Sequence, residues 1–364
     1  VLYVCDSNFN RLGIIGKFSY LLWRKRYSAH GEAELHVDVN MRNIELLQKG
    51  NILFRKDDNE AMYIYYRGFD DSEHGKDQLI VKCFSTVRWL DRRLVWGKYN
   101  FYATPENIIR NMIRNECINP EKIDRKIQQI QLAPSNNIGT MIRMQISNKE
   151  VLESVESICN TYELGIRTLF NGIEHLYDVY EGQDRSINQT KNPQCILSKS
   201  FSNVINRKFE EADNDFKNTA LIAGAGEGFN RKTVAIEQGS GLNRRELFID
   251  ARDIQDTMRV DEEDVPLPEE EYALLLKQRG VNKLLEQEEF VSFDCEVDVT
   301  KENTKYNKDF FLGDLITIRD DKLGIIMNSR VVEADEVFKT YKETFVKVGK
   351  SIPTLPEKVR KMVI

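Results

Sequence analysis

The sequence has no run of about 18 consecutive apolar residues, so no helix is expected to cross a membrane. It has no Cys-x-x-Cys pair. Cys5, Cys83, Cys117, Cys159, Cys195 and Cys295 are scattered without metal-like spacing, which predicts buried, reduced thiols in a protein folded in cytoplasm. The histidines are few, His30, His36, His74 and His175, and none forms a His-x-His or His-x-x-x-His pair, so no zinc site is expected. A cationic excess is also missing. Lys and Arg number 52 against 58 Asp and Glu, a net charge of −6, which argues against sequence-independent nucleic-acid binding. Gly-x-Ser-x-Gly and His-Glu-x-x-His are absent, removing two common hydrolase signatures. The opening VLYVCDSNFNRLGIIG has no basic stretch followed by an apolar one, so a signal peptide is not expected. The leading Val1 suggests a removed methionine or a trimmed product.

What is present is a globular composition, 41% apolar and 30% charged, over 364 residues, enough for two or three domains. The first hundred residues read as strands: Tyr20 to Tyr27, Glu34 to Val39, Ile52 to Arg55, Ala61 to Phe69 and Gln78 to Phe84. A turn at Ser28-Ala29-His30-Gly31 separates the first two. A short helix, Asn43 to Gln48, is expected to stop at Gly50. Polar loops, DDSEHGKD among them, join the strands, which suggests an antiparallel barrel or sandwich.

Helical spacing then takes over. Thr104 and Pro105 predict a helix start, followed by the apolar stripe Ile108, Ile109, Met112 and Ile113. Ser147 and Glu150 have capping-box spacing ahead of Val151, Leu152, Val155, Ile158, Cys159 and Tyr162, with Gly165 as the expected end. Strand-like runs Ile166 to Phe170 and His175 to Tyr180 complete an expected α+β insert. Beyond it, Thr219 to Gly224 and Lys232 to Glu237 read as a hairpin and Glu246 to Asp250 as a strand. After the acidic stretch Asp261 to Asp264, Pro268 and three glutamates suit a helix N-terminus, with Gly280 an expected interruption. Strands are expected at Val291 to Val299, Leu315 to Arg319, Gly324 to Met327 and Arg330 to Ala334, and the tail SIPTLPEKVRKMVI reads as peripheral. No internal repeat of fixed short period is visible.

Few residues invite a chemical reading. Gly224, Gly226 and Gly228 lack the Lys-Ser/Thr of a phosphate loop and precede a β-run, so a hairpin turn is the better reading. Asp294, Glu296 and Asp298 alternate with Phe293, Cys295, Val297 and Val299, putting the carboxylates on one face about 6.5–7 Å apart. Such pairs can serve a glycosidase or hold calcium, but on the polar face they lack the burial that raises an acid's pKa. They read as a solvated face; lining a channel, they would keep DNA phosphates from sticking. Asp184-Arg185-Ser186 reads as a loop at a domain junction, where the Arg can pair with a carboxylate. Arg24-Lys25-Arg26, Arg88 with Arg92-Arg93, and Arg244-Arg245 read as solvated surface.

Several phrases, in order, carry a resemblance: LYVCDSNFNRLGII, LLWRKRYSAHGEAELHV, VKCFSTVRWLDRRLVWG, VYEGQDRS, KNTALIAGAGEGFNR, NRRELFIDARDI, and FLGDLITIRDDKLGI with RVVEA. Together, over about Leu2 to Val346, they resemble a siphovirus tail protein family that shares the baseplate-hub fold, including the N-terminal structural region of tail-associated (Tal) proteins. The resemblance implies an α+β, mainly β chain. Two tail-tube-like β-barrel domains, 1–98 and 185–364, would flank an inserted α+β domain at 99–184, with a helical insertion near 266–290. Strands from either side of the insert can complete one barrel. It implies a homotrimeric ring at the virion tail tip, assembled in the bacterial host cytoplasm. The ring would close the tail tube and meet distal tail or tail-tube proteins, a tape-measure protein, and tip or receptor-binding proteins, with DNA only as passing cargo and no membrane insertion. It carries over no catalytic, cofactor-binding or metal-ligating residue, so an enzyme is not expected. Two other readings stay open, a cell-wall hydrolase and a glycan-binding module exposing an aromatic platform.

Overall fold

The structure is a computed structural model that describes residues 1–70, 78–260, 263–297 and 305–349. It is mainly β, and one large sheet dominates. Strand Ile325–Phe338 is the seam of that sheet. Its outer part pairs antiparallel with Tyr20–Arg26 on one side and Lys342–Gly349 on the other, while its beginning pairs with Leu315–Asp320. From the seam the sheet runs through Tyr20–Arg26, Glu32–Asp38, Gln78–Ser85, Ala61–Asp70, Ile52–Arg55, Leu2–Cys5 and Arg11–Ile15. In the other direction it runs through Lys342–Gly349, Phe290–Val297 and Val204–Ala212. Strands from the two ends of the chain therefore share one hydrogen-bonded ladder.

The alternation visible in sequence sets which side of each strand is buried. Leu21, Trp23 and Lys25 turn inward from Tyr20–Arg26, as do Ala33, Leu35 and Val37 from the next strand. Helix α1 (Met41–Leu46) begins two residues earlier than the sequence suggests, because the Asn40 side chain accepts the amide of Asn43 at 2.9 Å. Its last turn closes at Leu47, while Gly50, with φ of +89°, turns the chain into the next strand.

Between the strand halves lies an α+β layer. Helix α2 (Pro105–Ile113) is capped by Thr104, and Ile108, Ile109, Met112 and Ile113 are fully buried. Helix α3 (Val151–Thr161) buries the anticipated face, but the capping box does not form. Ser147 ends strand Ile142–Ser147, and Glu150 sits at the N-cap without a side-chain bond to the helix. Strand pairing with Lys98–Ala103 keeps Ser147 in the sheet, and the N-cap position falls to Glu150. The helix ends through Glu163, whose φ is +53°, and Gly165 instead opens strand Gly165–Phe170. That strand pairs with His175–Tyr180, and both pack with the helices against Cys5, Ile52, Ala61 and Tyr63 of the large sheet.

A smaller unit follows. Strands Thr219–Ala223 and Thr233–Ile236 form the expected hairpin, and Glu246–Asp250 adds to it in parallel. Helix α4 (Glu269–Leu285) covers one face, with Glu269, Glu270 and Glu271 in its first turn. Gly280 does not interrupt it. A Cβ there would come within 2.7 Å of Ile222 and Ile236, so the glycine lets the helix approach the sheet. The two strands expected after Gly324 are one strand of 14 residues, since Asn328 and Ser329 continue the pairing with Ile316 and Thr317. Residues 71–77, with His74 among them, Asp261, Glu262, Asp298, Val299 and the residues from 350 fall outside the described residues.

Candidate functional site

The chemistry-bearing side chains concentrate along the seam. On the outer face, Arg24 lies in register with Glu32 on one neighbouring strand and Asp335 on the other, and binds both at 2.8 and 2.6 Å. Arg26 likewise joins Glu32 and Glu333 at 2.7 and 2.8 Å. The basic triplet is thus not solvated surface. Alternation puts its outer members into a cross-strand ionic ladder and its middle member into the core.

Lys25 is that middle member. Its Nζ lies 2.7 Å from Asp58 Oδ2 and above the Tyr306 ring. Burial acts to lower the Lys25 amine, but the charges of Asp58, Tyr306 and Glu60 outweigh it and hold the pKa well above the ordinary value. Glu60, also buried, is pushed up to about 8 by burial against the pull of Lys25. A second buried pair lies alongside. Arg55 donates to Glu336 at 2.7 Å and to Asp57 at 2.6 Å, and Lys342 also pairs with Glu336.

The same pattern joins the α+β layer to the C-terminal strands. The Tyr27 hydroxyl donates to the carbonyls of Glu163 and Tyr180 at 2.9 and 3.3 Å. Arg185, in the expected junction loop, donates to Asp314 at 2.7 Å, and Asp314 also accepts the amide of Gln183. An open cleft of about 440 Å³ lies beside them, lined in part by Arg167, Asp178, Tyr180 and Phe311. Two of its carboxylates are paired, Asp178 with Arg167 and Asp314 with Arg185, and Glu181 also lines it.

The other singled-out residues lie apart. Asp294 sits in register between Lys208 and Lys347 and is raised by burial against the pull of Lys347, while Glu296 accepts from Asn206. Gly224, Gly226 and Gly228 belong to the hairpin turn, with Ala225 N–H donating to the Tyr272 hydroxyl. His30 bridges Glu156 and Arg88, and His36 pairs with Glu34. His175, buried between Thr86 and the Gln129 carbonyl, is held down to about 4 by burial. All six thiols are buried, and burial raises each. Among the described residues no three His, Cys, Asp or Glu side chains are placed to hold a metal ion.

Asp58, Glu60, Asp314 and Glu336 were not singled out in sequence. For Asp58 and Glu60 the signal was indirect: Lys25 alternates in phase with Leu21 and Trp23, so an anionic partner inside was required.

Buried charge here joins distant segments of the chain to one another. The chain belongs to the family described as Siphovirus ReqiPepy6 Gp37-like protein, which matches residues 1–349. No curated protein matches the sequence. Among solved structures, the tail protein from Neisseria meningitidis MC58 is similar at 12% identity and a TM-score of 0.57, over 96% of each chain. The prophage MuSo2 43 kDa tail protein from Shewanella oneidensis is similar at 10% identity and a TM-score of 0.57, over 95% of this chain and 97% of that one. Prophage tail protein gp18 from Listeria monocytogenes EGD-e is similar at 10% identity and a TM-score of 0.55, over 100% and 98%. At these identities the likeness is one of fold. The family is one of siphovirus tail proteins, and these structures are tail proteins, two of them from prophages.

Proposed function

We propose that this chain is the baseplate hub of a phage or phage-derived tail. Three copies form a ring at the tip, close the tail tube, and attach distal tip components without catalysing a reaction. Two tube-like β-barrel domains, 1–98 and 185–364, flank the 99–184 insert in each copy and share the seam strand Ile325–Phe338. The ring would meet tail-tube and tape-measure proteins and pass DNA as cargo. One observation carries the reading: family membership over residues 1–349. Closed rings need complementary heterologous surfaces, and two barrels per copy would match a sixfold tube. The test is light scattering over a dilution series. A mass of three times the 42.4-kDa chain is expected, and a concentration-independent monomer removes the ring in solution.

A specific observation favours a second reading, glycan binding. Tyr65, Tyr66 and Phe69 are exposed around an open cavity of about 470 Å³ that Lys49 and Arg67 also line. Exposed aromatic faces of this kind stack on sugar rings. Binding of host cell-wall glycan that is lost in Tyr66→Ala would support this reading.

A further inference from the structure

The small sheet carries the same loop twice. Gly226-Glu227-Gly228-Phe229-Asn230-Arg231-Lys232 and Gly239-Ser240-Gly241-Leu242-Asn243-Arg244-Arg245 share the pattern Gly-x-Gly-apolar-Asn-Arg-basic. They also share one conformation. Gly226 and Gly239 have φ of +99° and +73°, and Gly228 and Gly241 have +54° and +55°. Asn230 N–H donates to Glu227 O and Asn243 N–H to Ser240 O, each at 3.1 Å. Arg231 and Arg244 amides reach the second glycine's carbonyl at 3.3 and 3.2 Å. A Cβ on Gly226 or Gly239 would meet the carbonyl of Asn230 or Asn243 at the same 2.6 Å.

The turn explains the glycines and the first arginine of each copy. The glycines supply left-handed backbone, and the Arg231 and Arg244 side chains tie down the loop ends through Asp250, Glu237 and Glu246. The apolar slot packs on nothing: Phe229 and Leu242 are fully exposed. A polar residue would serve the turn equally, yet both copies hold a large apolar one. Lys232 and Arg245 are likewise matched within the chain, by Asp256 and Asp213. With all four cations neutralised, the complementary surface is an uncharged apolar socket. Strand Thr233–Ile236 lies between the loops, so they sit at the two ends of that strand.

We propose that Phe229 and Leu242 are matched docking knobs, each seated in one copy of the same apolar socket on a homo-oligomeric neighbouring tail protein. Two knobs of one shape need two sockets of one shape, and symmetry supplies them in an oligomer. The inference uses the chain's place in the tail family and does not require the trimer. A monomer in solution therefore leaves it standing.

The test places p-benzoylphenylalanine at position 229 or 242 and irradiates assembled tails. Both positions are expected to cross-link to the same segment of one polypeptide other than this chain. Adducts to two different polypeptides, to this chain itself, or to none overturn the proposal. Phe229→Ser and Leu242→Ser provide a second readout. Each should lower incorporation into sedimenting tails several-fold, and the pair should abolish it, with the melting temperature of the isolated chain unchanged. Unaltered incorporation overturns the proposal, as does flotation of the wild type, but not the double variant, with phosphatidylglycerol vesicles.

Discussion

Lys25 Nζ lies 2.7 Å from Asp58 Oδ2 on the core face of a strand whose other inward residues are Leu21 and Trp23. An ammonium there is tolerable only with its counter-charge. Lys25→Ala leaves Asp58 and Glu60 buried without it, and breaking such a pair costs about 3–5 kcal/mol. Denaturant midpoints should show that loss. Lys25→Met with Asp58→Leu removes both charges and should recover much of it; equal damage in single and double variants would mean the pair is not the source.

Glu60 gives the seam a pH dependence. With its folded pKa at about 8 against 4.5 for the free side chain, the native state holds a proton that the unfolded chain releases. This contribution is fully present below about pH 4.5 and is lost as pH rises towards 8, by about 5 kcal/mol. Thermal melts from pH 5 to 9 should show the decline, and Glu60→Gln should flatten it. An unchanged profile in the variant would assign the titration elsewhere.

The reach of the sequence is clear at this same seam. Alternation located strands such as Tyr20–Arg26 and Gln78–Ser85, and helical spacing located the buried face of α2, because those periods are local. The pairing of Tyr20–Arg26 with Ile325–Phe338 spans some three hundred residues and has no local signature. The Ser147–Glu150 spacing misled because a strand claimed Ser147 first. The knob loops were missed because a duplication thirteen residues apart becomes conspicuous only when both copies adopt one conformation.

His175 acts in the opposite pH direction. It is buried neutral with its folded pKa held to about 4, below the 6.5 of a free imidazole. The unfolded chain takes up the proton first, so this contribution is present above about pH 6.5 and is lost as pH falls through 4, by about 3 kcal/mol. His175→Gln keeps partners for Thr86 and the Gln129 carbonyl but cannot titrate. Melts at pH 7 and 4.5 should differ less in the variant than in the wild type, and an equal difference would sink the assignment.

Two glycines separate close packing from turn geometry. Gly165 sits in a strand where an added Cβ would overlap the rings of Tyr27 and Tyr180, and those rings are fixed by their own packing and hydroxyl bonds. Gly280 lies in α4, where the added Cβ would press on the movable ends of Ile222 and Ile236. Overpacking costs about 1–3 kcal/mol, and in a helix Ala returns about 1 kcal/mol over Gly. Gly165→Ala should therefore fall at or above the top of that range, while Gly280→Ala should lose no more than about 2 kcal/mol. Urea unfolding of the two variants measures the contrast. A Gly165→Ala protein as stable as the wild type would mean that the Tyr27–Tyr180 contact is not the close joint between the α+β layer and the seam.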